Sequence, residues 1–525
     1  MNHLPKDNNL QKRPSLVLNA MSTWGPLLTN TVISLILTPL LVATLGKVDY
    51  GIWILVGSFI GYYGLLRIGV GSGILRFVPY HHARGDKQAV SETMTTAVAF
   101  FIIIGLTIAL ISFLISEPLG HFYSASNDLV YLIRIMGLAA AFECVFRVFD
   151  SAIRAYERWL IANLVTVIFA ITRALAIAGC LYMGYGLIEI GFANLFATVG
   201  ALIIAYITFK KTCKDVKLAF PLIKLGRLNG LAKFGLLTMV IKIVYTLRLA
   251  NHKLIIGKMI SIEAVALYAI ASILIRNARL ASVSPITVLF PRFSYLDGKN
   301  RKEAAVDLLV KSIRYGAIIS SGIMLIVFAV SDEFIHLWLD SSFIQVVPPL
   351  MILAAGTLVE ASFSATGSFL SGMGYQKLYA IITAIEGILE ITIAVTITLV
   401  TDLGLTGIAL SFLCTISLMH GIVMPLIIGH MQHINPLRFY THGILIPWTI
   451  LAVILMTNDH FIARQTIDNW SLLLTHVLAL ATAYIVPAFF LATTREEKQR
   501  IINICKTSCV MTAGWARKYF APLTT

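Results

Sequence analysis

The chain runs to 525 residues, with 41 lysines and arginines against 26 aspartates and glutamates and a formal net charge of +15. Only 13% of it is charged and 58% is apolar, where a soluble domain carries roughly 25% charged residues. So little polar matter cannot cover a globular surface, and so much apolar matter excludes a disordered chain, which leaves an all-α polytopic membrane protein.

Runs of about 18 or more predominantly apolar residues predict transmembrane helices, and there are about fourteen. In chain order they lie near 15–44, 50–78, 91–115, 128–152, 160–183, 188–209, 234–257, 264–290, 304–330, 343–370, 378–400, 404–430, 441–457 and 469–492. The first is too long for a signal-peptide core and no small-residue cleavage site follows it, so it is kept as a span. In the last pair, Pro447 shortens one member and Pro487 interrupts the other.

Alternate loops carry the basic residues: Arg84 and Lys87, Arg154 and Arg158, then Lys210, Lys211, Lys214, Lys217, Lys224, Arg227 and Lys233, then Arg292, Lys299, Arg301 and Lys302. The opposite loops are acidic at Glu117, Asp128, Asp332, Glu333 and Asp340. The positive-inside rule then places both termini in the cytoplasm. The net charge is this bias spread over many loops, not a nucleic-acid footprint. Of the six cysteines, none falls in a loop assigned to the outside, so no disulfide framework is expected. The stretch 210–233 reads either as an amphipathic helix on anionic membrane lipids or as a solvated, topology-setting loop.

The chain repeats itself. FVPYHHARGD at 77–86 echoes FPRFSYLDGK at 290–299, and Pro79 to Pro291 gives an offset of 291 − 79 = 212. GLIEIGFA at 186–193 echoes GLTGIALS at 404–411, and Gly191 to Gly407 gives 407 − 191 = 216. Two matches at nearly one offset indicate a duplicated six-span unit, and an even span count makes the copies parallel repeats about a central cavity. The expected organisation is a cytoplasmic segment (1–14), an N-lobe of six spans (15–209), a basic linker (210–233), a C-lobe of six spans (234–430), two additional spans (431–492) and a basic cytoplasmic tail (493–525).

The first half also carries Leu45-Gly46, Tyr50-Gly51-Ile52-Trp53, Gly64-Leu65-Leu66, Gly69, Arg76 and Ala83-Arg84-Gly85-Asp86. With Pro291-Arg292-Phe293, Leu296-Asp297-Gly298-Lys299 and Trp338-Leu339-Asp340 in the second half, the pattern resembles the oligosaccharide flippase (polysaccharide transporter, Wzx-type) family. That family sits within the multidrug/oligosaccharidyl-lipid/polysaccharide exporter superfamily. The resemblance covers most of residues 15–430 and implies flipping of an undecaprenyl-pyrophosphate-linked oligosaccharide to the periplasmic leaflet for O-antigen, capsule or exopolysaccharide assembly. Polysaccharide polymerase machinery would be a partner. Family members often place an acid after the Gly-Leu-Leu; here Arg67 stands there, and no coupling role transfers to it.

Ionisable residues inside spans are costly and mark paths or partners. Those away from the ends are Arg67, Arg134, Glu143, Arg147, Arg173, Lys242, Arg248, Arg276, Arg279, Glu360, Glu386 and Glu390. Cations exceed carboxylates, and the surplus calls for an anion; guanidinium matches phosphate oxygens in a bidentate fork. Arg67, Arg173, Arg248, Arg276 and Arg279 are therefore the candidate substrate-binding residues. Glu143, Arg147, Asp150 and Arg154 alternate in sign at helical spacing, as a structural stripe or a gate. Glu386 and Glu390, four apart, with Glu360, are either a proton-coupling site or counter-charges to neighbouring cations. No metal-ligand spacing, nucleotide motif or cofactor signature is present, so a transporter and not an enzyme is expected. The runners-up are a multidrug or toxin exporter of the same superfamily, which would want an acid-dominated cavity, and a membrane glycosyl polymerase or ligase, which would want a large external loop.

Overall fold

A computed structural model describes residues 24–66, 70–224, 251–287, 289–461, 467–495 and 497–499, with positions 22 and 226. Every regular element among the described residues is helical. Twelve stretches are long and apolar enough to cross a membrane, and the chain is a multi-pass membrane protein.

The first helix, α1 (Trp24–Leu66), has 43 residues, about 64 Å at 1.5 Å per residue and twice a hydrocarbon core of about 30 Å. It is two spans in one. At Gly46 the backbone turns to φ 74°, ψ 175°, a conformation glycine adopts without steric cost. The first two predicted spans are thus the halves of α1, the second resuming in α2 (Val70–Ala83). The seventh predicted span, 234–257, falls outside the described residues up to position 250.

The remaining helices are α3 (Lys87–Tyr123), α4 (Asn127–Ala155), α5 (Trp159–Tyr182), α6 (Leu187–Thr212), α7 (Ile262–Thr287), α8 (Phe290–Gly298), α9 (Lys302–Trp338), α10 (Val347–Ser362) and α11 (Ser364–Gly372). After them come α12 (Gln376–Val400), α13 (Gly404–Leu418), α14 (Met424–Gln432), α15 (Leu445–Phe461) and α16 (Trp470–Leu491). A single π turn, Met419–Val423, carries α13 into α14. Pro487 sits inside α16 without ending it, so both C-terminal apolar segments are of spanning length.

The duplication is visible in the helix starts. Helices α3 and α9 are each 37 residues long and begin 302 − 87 = 215 residues apart. The starts of α5 and α12 differ by 376 − 159 = 217, and those of α6 and α13 by 404 − 187 = 217. A residue with positive φ precedes each of the long helices α3 and α9 at the same offset, 300 − 85 = 215. In the first, Gly85 takes φ 72°, and the Asp86 carboxylate accepts from the Ala89 amide at 2.9 Å, capping α3. In the second, Asn300 takes the positive φ, 53°, just before α9.

The described residues form two compact units, one drawn from Met1–Leu274 with Ala380–Phe412, the other from Ile275–Tyr379 with Leu413–Thr525. In the first, Met94, Phe101 and Ile108 on α3 pack with Cys144, Phe146 and Phe149 on α4 and Phe209 on α6. Small residues let the helices close up: a Cβ on Gly105 would lie 2.9 Å from the Ala141 carbonyl oxygen. In the second, a Cβ on Gly316 of α9 would lie 2.9 Å from the Ala361 carbonyl oxygen.

The described part of the basic linker is not a helix on a lipid surface. Residues 213–224 fold back along the start of α3 with one 3₁₀ turn at Phe220–Leu222. The amides of Lys217 and Lys224 donate to Ser91 Oγ and Thr96 Oγ1. Lys224 Nζ lies 2.8 Å from the carboxylate of Glu92, a buried acid on α3. Lys87 pairs with Asp215 at 3.2 Å.

Candidate functional site

The alternating stripe on α4 pairs within itself at the spacing its sequence dictates. Glu143 accepts from Arg147 Nη2 at 2.8 Å and Nε at 3.2 Å. Asp150 accepts from Arg154 Nε at 2.9 Å and Nη2 at 3.1 Å. Arg154 also donates to Asn163 Oδ1 at 2.8 Å, which ties the C-terminal end of α4 to α5. Asp150 is buried and Arg154 half-buried, and all three guanidinium nitrogens are bonded, so this pair fastens helices.

The Glu143–Arg147 pair differs. Arg173 of α5, half-buried, stands with its guanidinium 5.6 Å from the Phe169 ring centroid, attracted by Glu143 and repelled by Arg147. Glu143 thus acts on two guanidiniums, and Arg147 is also within electrostatic reach of Asp150. Of the other proposed binding residues, Arg67 and Arg248 lie outside the described residues. Arg276 is exposed on α7.

Arg279 is neutralised by its surroundings. Its Nε donates to Glu360 Oε2 at 2.7 Å and its Nη2 to Glu360 Oε1 at 3.0 Å, a fork joining α7 to α10. The pair unites one residue read from the sequence as substrate-binding with another read as ion-coupling.

Glu386 and Glu390 are both buried on α12. Glu390 Oε1 is 3.0 Å from Nε2 of His252, and the other ring nitrogen, Nδ1, is 2.8 Å from the Tyr268 hydroxyl. All three side chains are buried, and all three belong to the first compact unit. Sequence reasoning missed His252. Its signal was a histidine within a run assigned to a span, beside Lys253 and 390 − 252 = 138 residues from its partner.

Outside the spans, two groups carry clear electrostatic signatures. Burial pushes the Cys213 thiol up to about 12, which leaves it unreactive. Burial works to raise the Glu497 carboxyl, but hydrogen bonds from the Thr494 amide, the Tyr315 hydroxyl and the Thr494 hydroxyl, with the Arg314 charge, hold it below the ordinary range.

The fold is shared with a multidrug resistance MATE family transporter of the MOP superfamily, in its inward-facing conformation, at TM-score 0.64 and 17% identity over 79% of this chain and 98% of that one. It is shared also with the lipid II flippase MurJ, inward closed, at TM-score 0.68 and 15% identity over 90% of this chain and 98% of that one. The family model described as "Polysaccharide biosynthesis protein" matches residues 31–348, and the chain belongs to that family. It is 22% identical over 503 residues to the uncharacterized membrane protein EpsK of Bacillus subtilis (strain 168), spanning 93% of this chain and 97% of that one.

Proposed function

We propose that this protein is a flippase that moves an undecaprenyl-pyrophosphate-linked oligosaccharide from the cytoplasmic to the periplasmic leaflet of the bacterial inner membrane, by alternating access, for assembly of a surface polysaccharide. One observation carries the reading: a chain of the polysaccharide biosynthesis family has the fold seen in a flippase of a lipid-linked precursor. Arg147 and Arg173 around Glu143 supply positive charge that suits a pyrophosphate head group. Arg67 and Arg248 complete the set by the sequence reading. In this account the N-lobe is 15–209, the C-lobe 234–430, and both termini are cytoplasmic. The exported product passes to polysaccharide polymerase machinery.

The test is flipping by the purified chain in proteoliposomes loaded with undecaprenyl-pyrophosphate oligosaccharide, read by protection of the sugar from an external glycosidase. Arg173→Ala should abolish flipping, and Arg173→Lys should restore part of it, since lysine keeps the charge and loses the fork. Preferential transport of organic cations would instead make the chain a multidrug exporter.

A further inference from the structure

We propose that His252, held between Tyr268 and Glu390, exchanges the proton that couples this protein's conformational cycle to a proton gradient, with Glu390 as its partner. The inference deepens the transport reading and rests on it.

Three elements of one compact unit meet at the cluster: the helical segment 251–259, α7 and α12. His252 keeps 7% of its surface exposed, and Tyr268 and Glu390 keep 2% each. A histidine is the side chain whose charge changes near neutral pH. Here Nδ1 is engaged by the Tyr268 hydroxyl at 2.8 Å, and Nε2 faces Glu390 Oε1 at 3.0 Å as an ion-pair contact outside hydrogen-bond alignment.

That arrangement allows three proton counts. In the first, the ring is neutral and the carboxylate charged; Tyr268 donates to Nδ1, and Nε2–H faces Glu390. In the second, the ring takes up a proton on Nδ1, and Tyr268 turns its hydroxyl to accept, since a phenol both donates and accepts. Passing the Nε2 proton to Oε1 converts imidazolium and carboxylate into imidazole and carboxylic acid at unchanged net charge. In the third, a further proton on the pair leaves it positive, which a buried site disfavours. The pair therefore alternates between a net charge of −1 and neutrality, with one proton entering or leaving as a unit.

The other groups that surround the cluster are compatible with that cycle. Glu386 lies one turn before Glu390 on α12 and is 1% exposed, a second buried carboxylate on the same helix. Lys253 neighbours His252 in sequence. On α1, Tyr62 donates to Asn251 Oδ1 at 2.6 Å, and on α3 Tyr123 donates to the Leu254 carbonyl at 3.4 Å. Both bonds hold the 251–259 segment against the N-terminal helices, so a charge change at His252 acts at a helix junction. Hard metal cations take oxygen ligands, whereas the atom facing Glu390 is a ring nitrogen, which exchanges protons.

Infrared difference spectroscopy between acid and neutral pH, on the full chain in lipid without substrate, reads the exchange. The expected result is a carboxylic-acid carbonyl band that appears on acidification, is lost in Glu390→Gln, and has an altered pH dependence in His252→Gln. If Glu390→Gln does not fold, Tyr268→Phe replaces it: both titrating groups stay, the hydroxyl on Nδ1 goes, and the pH at which the band appears should move. A wild-type band that does not respond to pH, or one indifferent to His252→Gln or Tyr268→Phe, would overturn the proposal. Because no lipid-linked sugar is used, that failure would leave the flippase reading intact; absent flipping with an intact band would do the reverse.

Discussion

The Arg279–Glu360 fork offers the sharpest energetic test. Glu360 is 5% exposed and Arg279 21%, so removing the guanidinium strands a carboxylate in the interior. Breaking a buried pair on one side costs about 3–5 kcal/mol, and the partial exposure of Arg279 puts Arg279→Ala near the lower end, about 3 kcal/mol. Glu360→Gln keeps an acceptor for the guanidinium and loses the charge, a cost of about 1–2 kcal/mol. Replacing both, as Arg279→Met with Glu360→Met, removes the desolvated charges together and should recover most of the loss, with a coupling of about 2 kcal/mol. Denaturant unfolding of the purified chain in detergent, followed by tryptophan fluorescence, measures wild type, Arg279→Met, Glu360→Met and the double, the four corners of the cycle, beside Arg279→Ala and Glu360→Gln. Singles that are additive in the double, or an Arg279→Ala within about 0.5 kcal/mol of wild type, would refute the reasoning. The same pairing changes how export assays are read: lost export in Arg279→Ala counts toward substrate binding only if the protein level is unchanged.

Other expectations follow from single observations. A Cβ on Gly51 would overlap the Ile262 carbonyl where α1 meets α7, so Gly51→Ala should destabilise by about 1–3 kcal/mol in the same unfolding assay. Glu497 has a folded-state pKa held below its model value of 4.5; its contribution to stability is complete above that value and is lost as pH falls through the lowered one. Glu497→Gln should therefore be less stable than wild type at about pH 7 and lose less on acidification to about pH 3, as thermal unfolding would show. For topology, cysteines introduced near Ser341 and Asn127 in a background without native reactive thiols should be labelled from outside, and cysteines in 210–224 should not. Cys213 should resist labelling from either side, since its thiol is buried and titrates near 12.

The fold was legible where the signal is local or periodic. Span lengths follow from apolar runs, and the duplication follows from two echoed motifs and shows in the positive φ of Gly85 in one half and Asn300 in the other. The α4 stripe was legible too, because partners four apart on a helix meet by geometry alone. The site was less so. Arg279 and Glu360 are 81 residues apart, and a list of intramembrane charges cannot show that a cation meant for substrate is already held by a carboxylate. Glu386 and Glu390 read as a carboxylate pair because they share a helix; His252, whose Nε2 lies 3.0 Å from Glu390, is brought to it by tertiary packing. The linker 210–233 was ambiguous because a basic run suits both lipid and solvent, and the buried Glu92 that receives Lys224 sits in a different segment.

The central claim is that the cargo is a lipid-linked sugar precursor, and the most direct measurement is made on membranes of cells lacking the gene. Undecaprenyl-pyrophosphate oligosaccharide should accumulate in the cytoplasmic leaflet, unreachable by a glycosidase added to intact spheroplasts, and should become reachable when the wild-type gene is restored. Equal accessibility of the lipid-linked sugar in deleted and restored cells would contradict the account.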